Sequence, residues 1–132
     1  MTMKFKRILL KLSGEALMGE QDHGIDPGRL ADYATEIVEA SRKGTQIAIV
    51  IGGGNIFRGI SGVANGMERV QGDYMGMLAT VINSLALQAE IGKHGAATTL
   101  FSGLSIHPLA QAMNARSAID ELEKGKIILI SG

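Results

Sequence analysis

The sequence predicts an α/β fold built on a mainly parallel sheet, and three observations lead there. Short apolar runs of strand type recur, segments with helical spacing alternate with them, and glycines cluster where the runs end. Arg7 to Leu12 (RILLKL) is the first run and reads as a buried strand, closed by Ser13-Gly14. Asp26-Pro27 supplies an N-cap and a first-turn proline. Leu30, Tyr33, Ala34, Ile37 and Val38 then recur at helical spacing until Gly44 closes the segment. Gln46 to Ile51 (QIAIVI) is a second buried strand and runs into Gly52-Gly53-Gly54. A longer helix is expected from about Asp73 to Ile91, with Met77, Leu78, Val81, Ile82, Leu85 and Ala89 as its core-facing stripe. Ala97 to Phe101 is a third strand, Pro108 and the Ala112 to Lys124 region hold one or two short helices, and Lys126 to Ser131 is a fourth strand. Strands joined through helices imply right-handed crossovers, with a ligand outside the carboxyl ends of the strands. Both glycine loops fall at such ends.

Composition narrows the function classes. The 132 residues make one domain, and 13 basic against 13 acidic residues leave no global field to draw nucleic acid or an anionic membrane. Any anion site must be local. With no cysteine, disulfides, thiolate catalysis and zinc-thiolate sites are excluded. The apolar stretch near the N-terminus is interrupted by Lys11 and reads as a strand rather than a signal peptide, and no run reaches the roughly 18 apolar residues of a membrane helix. Glycine is the anomaly: 18 residues, about twice the usual share.

The segment Ile51 to Gly59 (IGGGNIFRG) concentrates unshielded backbone N–H groups and places a guanidinium, Arg58, four residues after Gly54. Such a loop can cradle a phosphate, which arginine holds bidentately; the plain alternative is a tight turn with a solvated arginine. Lys11 fits either an anion at the end of its strand or an edge-strand lysine reaching solvent. Asp73 fits an N-cap, and its carboxylate could equally accept from ribose hydroxyls. A dinucleotide fingerprint fails because Phe57 stands at the third glycine position, and neither Gly-Lys pair is followed by the Ser/Thr of a P-loop. His23, His94 and His107 lack metal-ligand spacing. Met67, Met75, Met77 and Met113 read as core filler, and the role of Glu15 beside the first loop is left open.

Lys11 to Leu17 (KLSGEAL), Gly52 to Gly59 (GGGNIFRG) and Gly72 to Thr80 (GDYMGMLAT), in this order, resemble the bacterial uridylate kinases of the amino-acid-kinase family. The resemblance runs from Lys6 to the end of the chain. It implies the amino-acid-kinase fold, a three-layer α/β/α sandwich with a mainly parallel sheet, and transfer of the ATP γ-phosphoryl group to UMP, with Mg²⁺ carried by the nucleotide. It implies that Lys11, Leu12, Ser13, Gly14, Gly54 and Arg58 contact ATP, with Lys11 and Arg58 serving catalysis, and that Gly53 and Asp73 hold UMP. It further implies that Gly19, Glu20, Gln21, Asp22, His23 and Gly24 respond to GTP as activator, that UTP inhibits, and that the protein is a cytoplasmic homohexamer. Members of that group continue past the strand matched by Ile127 to Ser131 into a loop completing the UMP pocket, then into the adenine-binding region. The expectation is that the 132-residue chain is the N-terminal part of one such domain, too short to turn over by itself; a non-catalytic nucleotide-binding or assembly module and another amino-acid-kinase activity are the alternatives.

Overall fold

The computed structural model describes residues 5–58 and 65–132. Five parallel strands, β1 (Arg7–Leu12), β2 (Gln46–Ile51), β3 (Thr98–Ser102), β4 (Gln111–Ala112) and β5 (Ile127–Ser131), lie in the order β1-β2-β5-β3-β4. Among the described residues, three helices lie between the strands: α1 (Pro27–Arg42), α2 (Arg69–Lys93) and α3 (Ala115–Glu123).

The layers follow from the two-residue period of the strands. Ile47 and Ile49 of β2, Leu100 of β3, and Ile127 and Leu129 of β5 pack with Ala34, Ile37 and Val38 of α1 and with Leu87 and Ile91 of α2. The intervening residues Ala48, Phe101 and Ile128 face the opposite way, onto Ala118 and Leu122 of α3. This is the expected α/β/α sandwich. The chain steps one way across the sheet over the α1 and α2 face, then returns from β4 to β5 over the α3 face. Reversing direction and face together keeps the helical crossovers of one hand.

Several local expectations are corrected. β1 is an edge strand among the described residues, alternating between exposed and half-buried positions rather than buried. Its Ile8, Leu10 and Leu12 meet the core, while Leu9 is 60% exposed. α2 begins at Arg69, and Asp73 lies within it; the N-cap position belongs to Glu68, which makes no capping bond. Gly72 is a buried helical residue whose amide donates to the Glu68 carbonyl at 2.9 Å. The rotation of α2 also differs: Leu78 and Ile82 are 44% and 47% exposed, whereas Leu87 and Ile91 are fully buried. Met75, Met77 and Met113 are exposed instead of filling the core. Apolar residues surround this helix, so periodicity could not select the buried face. Residues 111–112 form a strand in a region assigned to helix, since two residues carry no period. α3 then opens on Asn114, whose side chain accepts from the Ser117 amide at 3.1 Å.

Candidate functional site

The ends of β2 and β5 meet the middle of α2, and the end of β1 meets the loop after β2. Where β1 ends, Ser13 caps the short 3-10 turn Gly14–Leu17, its hydroxyl accepting from the Glu15 amide at 3.2 Å. Where β2 ends, the Gly52 amide donates to the Leu12 carbonyl at 2.9 Å and carries the pairing one residue past the strands. Beyond β5, the Gly132 amide donates to Thr80 Oγ1 at 2.9 Å.

The glycines have different reasons for lacking a side chain. A Cβ on Gly14 would stand 2.5 Å from Asn55 Oδ1 and 2.6 Å from the Gly52 carbonyl oxygen, so the two loops touch there through backbone. A Cβ on Gly53 would stand 2.6 Å from the Ala79 Cβ of α2. Both are close-packing requirements of the protein itself. Gly54 differs: a Cβ there would meet only Glu15 Oε1 at 3.5 Å and Arg58 Cζ at 3.9 Å. It is the open glycine of the loop, facing a charged pair. The Gly53 carbonyl accepts from the Ile56 and Phe57 amides at 2.9 and 3.0 Å. No acceptor among the described residues takes the Gly53 or Gly54 amide.

Arg58 donates through Nη2 to Glu15 Oε1, and about half of each side chain remains exposed. Glu15, left open in the sequence, is therefore the group that holds the guanidinium beside Gly54. Lys11 projects from the edge strand, exposed and without an ion-pair partner among the described residues. That is the solvent-reaching geometry of its plain reading, at the strand end where an anion would also lie. Asp73 is exposed on the second turn of α2. It lies six residues before Ala79, about 9 Å along the helix axis. No hydrogen bond joins it to the other expected site residues. Gly59 lies outside the described residues.

The segment expected to respond to an effector folds onto the same loop. The Gly24 amide donates to the Asn55 carbonyl at 2.7 Å, and Asn55 Nδ2 returns a bond to the Gly24 carbonyl at 2.9 Å. Gly19 and Gly24 take positive φ, 63° and 81°. A cavity of about 690 Å³ is lined by Asp22 and His23 from this segment and by Gly54, Phe57 and Arg58 from the loop. His23, hydrogen-bonded to Asp22 at 2.6 Å, holds that carboxyl below the usual carboxylate range. Two sets assigned to separate ligands thus line one space. A second cavity, of about 780 Å³ beside β3 and residues 103–113, contains none of the expected site residues.

Sequence reasoning missed Asn83 and the side chain of Asn55, buried to 0% and 2% exposure. Asn83 donates to the Gly52 carbonyl at 2.7 Å and to Asn55 Oδ1 at 2.7 Å, and Asn55 Nδ2 donates back to Asn83 Oδ1 at 3.2 Å. The available signal was a lone amide in the apolar stretch Val81 to Leu87.

The described residues thus bring a glycine loop with unbonded amides, an arginine beside it and adjacent strand ends together in an α/β fold. Residues 6–132 match the amino acid kinase family, and the chain belongs to it. Among its relatives, the uridylate kinase of Porphyromonas gingivalis is 56% identical over 127 residues, covering 96% of this chain and 53% of that protein. The uridylate kinase of Bacteroides thetaiotaomicron is 53% identical over 129 residues, covering 98% and 55%. The chain spans about half the length of the curated relatives it matches. Among solved structures, UMP kinase from Bacillus anthracis superposes with a TM-score of 0.90 at 34% identity, over 96% of this chain and 52% of that one. UMP kinase from Ureaplasma parvum gives 0.87 at 32% identity, over 97% and 56%. An isopentenyl phosphate kinase, at 18% identity and a TM-score of 0.68, shares the fold. No described helix is long and apolar enough to cross a membrane.

Proposed function

We propose that the complete protein is a cytoplasmic kinase that transfers the γ-phosphoryl group of ATP to UMP. The observation that carries this reading is the pair of unbonded amides at Gly53 and Gly54 beside the Arg58 guanidinium. The names of the relatives direct it to a nucleoside monophosphate.

In this reaction an oxygen of the UMP phosphate attacks the γ-phosphorus, the bond from that phosphorus to the β,γ-bridging oxygen breaks, and ADP leaves with the electron pair. The protein need form no covalent bond; it aligns two polyanions and neutralises the charge on the transferring oxygens. Lys11, Leu12, Ser13, Gly14 and Gly54 are assigned to the ATP phosphates, Gly53 to the UMP phosphate and Asp73 to the UMP ribose. Arg58 lies between donor and acceptor; as ligand phosphates arrive, they replace the Glu15 carboxylate as its partner. Among the described residues no group of three or more His, Asp or Glu is placed to hold a metal ion. By the family resemblance, Mg²⁺ is assigned to the nucleotide, where it would offset phosphate charge. The segment from Gly19 to Gly24 is assigned a response to GTP, with UTP as inhibitor and a homohexamer as the assembly.

The test is formation of UDP by the complete protein from ATP with UMP, alongside CMP, GMP and carbamate as acceptors. UDP formed in preference to the other products is the expected result. Transfer to carbamate alone, or no transfer at all, would reject the reading.

A further inference from the structure

We propose that Asn83 is a positioning residue for phosphoryl transfer, acting through the Gly52 carbonyl to aim the Gly53 amide at the bound phosphate. The inference rests on the proposed kinase reading and goes one residue deeper into its site.

The bond between Gly52 and Gly53 is not among the cis peptides, of which His107-Pro108 is the one recorded among the described residues. In a planar trans peptide the carbonyl and the following N–H point in opposite directions. Asn83 Nδ2, donating to the Gly52 oxygen at 2.7 Å, draws that oxygen toward α2 and so turns the Gly53 N–H away from the helix. The next peptide is fixed in the same way, its Gly53 carbonyl held by the Ile56 and Phe57 amides. The first plane thus depends on a side chain and the second on backbone alone.

Asn83 is itself tightly constrained. Its second N–H goes to Asn55 Oδ1 at 2.7 Å, and its own oxygen accepts from Asn55 Nδ2 at 3.2 Å. The other N–H of Asn55 goes to the Gly24 carbonyl. Both amide groups therefore spend all their donors, in a site from which solvent is excluded. A buried amide pair is costly unless fully bonded, and an apolar pair would fill the volume without that requirement. What an apolar pair could not supply is a donor at the Gly52 oxygen.

The experiment measures steady-state UDP formation by the complete protein as wild type, Asn83→Asp and Ser84→Ala, with thermal melts of each. Asn83→Asp keeps the shape but removes both donors. Ser84→Ala removes the neighbouring buried hydroxyl, which bonds only the Thr80 carbonyl within α2, at 2.8 Å. The expected result is a fall in kcat of about 10- to 100-fold for Asn83→Asp, with KM for both nucleotides within about threefold, the pattern of misplaced reacting groups. Ser84→Ala lowers Tm with kcat preserved. If the aspartate variant does not fold, Asn83→Ala carries the same expectation without a buried charge. A folded Asn83 variant with wild-type kcat, a loss confined to KM, or an equal loss of kcat in Ser84→Ala overturns the proposal. UDP formation by the wild-type protein separates these results from failure of the kinase reading; its absence would remove that reading and the positioning role with it.

Discussion

Gly14 and Gly54 show that glycines in one site answer to different demands. At Gly14 the neighbours of a Cβ are the Asn55 side chain and the Gly52 backbone, neither of which can withdraw without moving a loop. Gly14→Ala is therefore expected to destabilise the protein by about 1–3 kcal/mol, the usual cost of forcing atoms into a packed site. Urea unfolding of wild type and variant reads the difference. A change within about 0.3 kcal/mol would show that the two loops are not in contact. The glycine loops, Lys11 and Arg58 stand out in the sequence because their residue types are unusual where they stand, while their assignment to particular ligands rests on the family resemblance. Asn83 was not, because its partners Asn55 and Gly52 are 28 and 31 residues away. Only the rotation of α2 brings them together. Glu15 was visible as a charge beside a loop, yet its partner Arg58 is 43 residues away.

At the scale of elements, strands read well and helix faces less so. QIAIVI is apolar on both faces because β2 lies between β1 and β5 and is covered by helices on both sides. RILLKL has a similar run, but its position at the edge leaves Leu9 and Lys11 exposed, and position in a sheet is not a local property. For α2, Leu78 and Ile82 are as apolar as Leu87 and Ile91. The face that packs is chosen by the small and polar side chains of Ala79, Asn83 and Ser84, which let the helix approach the glycine loop. On the opposite layer, Glu121 of α3 joins Lys126 at 2.8 Å and accepts from Thr99 of β3 at 3.2 Å. The hydrogen bond from Lys126 is the main cause holding the Glu121 carboxyl below its usual value of 4.5. A carboxyl depressed on folding stabilises the native state above its unfolded value, and that contribution is lost as pH falls through the folded value. Glu121→Gln should therefore lower Tm near neutral pH, and the gap to wild type should close as pH falls toward about 3. Melts across that range check it; a gap that widened in acid would reverse the assignment.

For the whole molecule, the sheet order β1-β2-β5-β3-β4 carries the functional argument. It sets the ends of β1 and β2 side by side, with β5 next to β2, and α2 packs against the ends of β2 and β5, so loops distant in sequence become one surface. The α/β class, the parallel sheet and the strand ends were legible because each follows from hydrophobic period and glycine placement, whereas the three layers came with the family resemblance. The insertion of β5 between β2 and β3 was not, because no local pattern encodes which strands are neighbours. The central claim is that this surface handles phosphoryl transfer through Arg58, and Arg58→Ala tests it most directly. The measurement is kcat/KM for UDP formation by the complete protein, with a melt to confirm folding. The expected result is a loss of about 100-fold or more at nearly unchanged Tm, the scale seen when one preorganised charge-stabilising donor is removed. A folded variant retaining kcat/KM within about threefold of wild type would contradict the account.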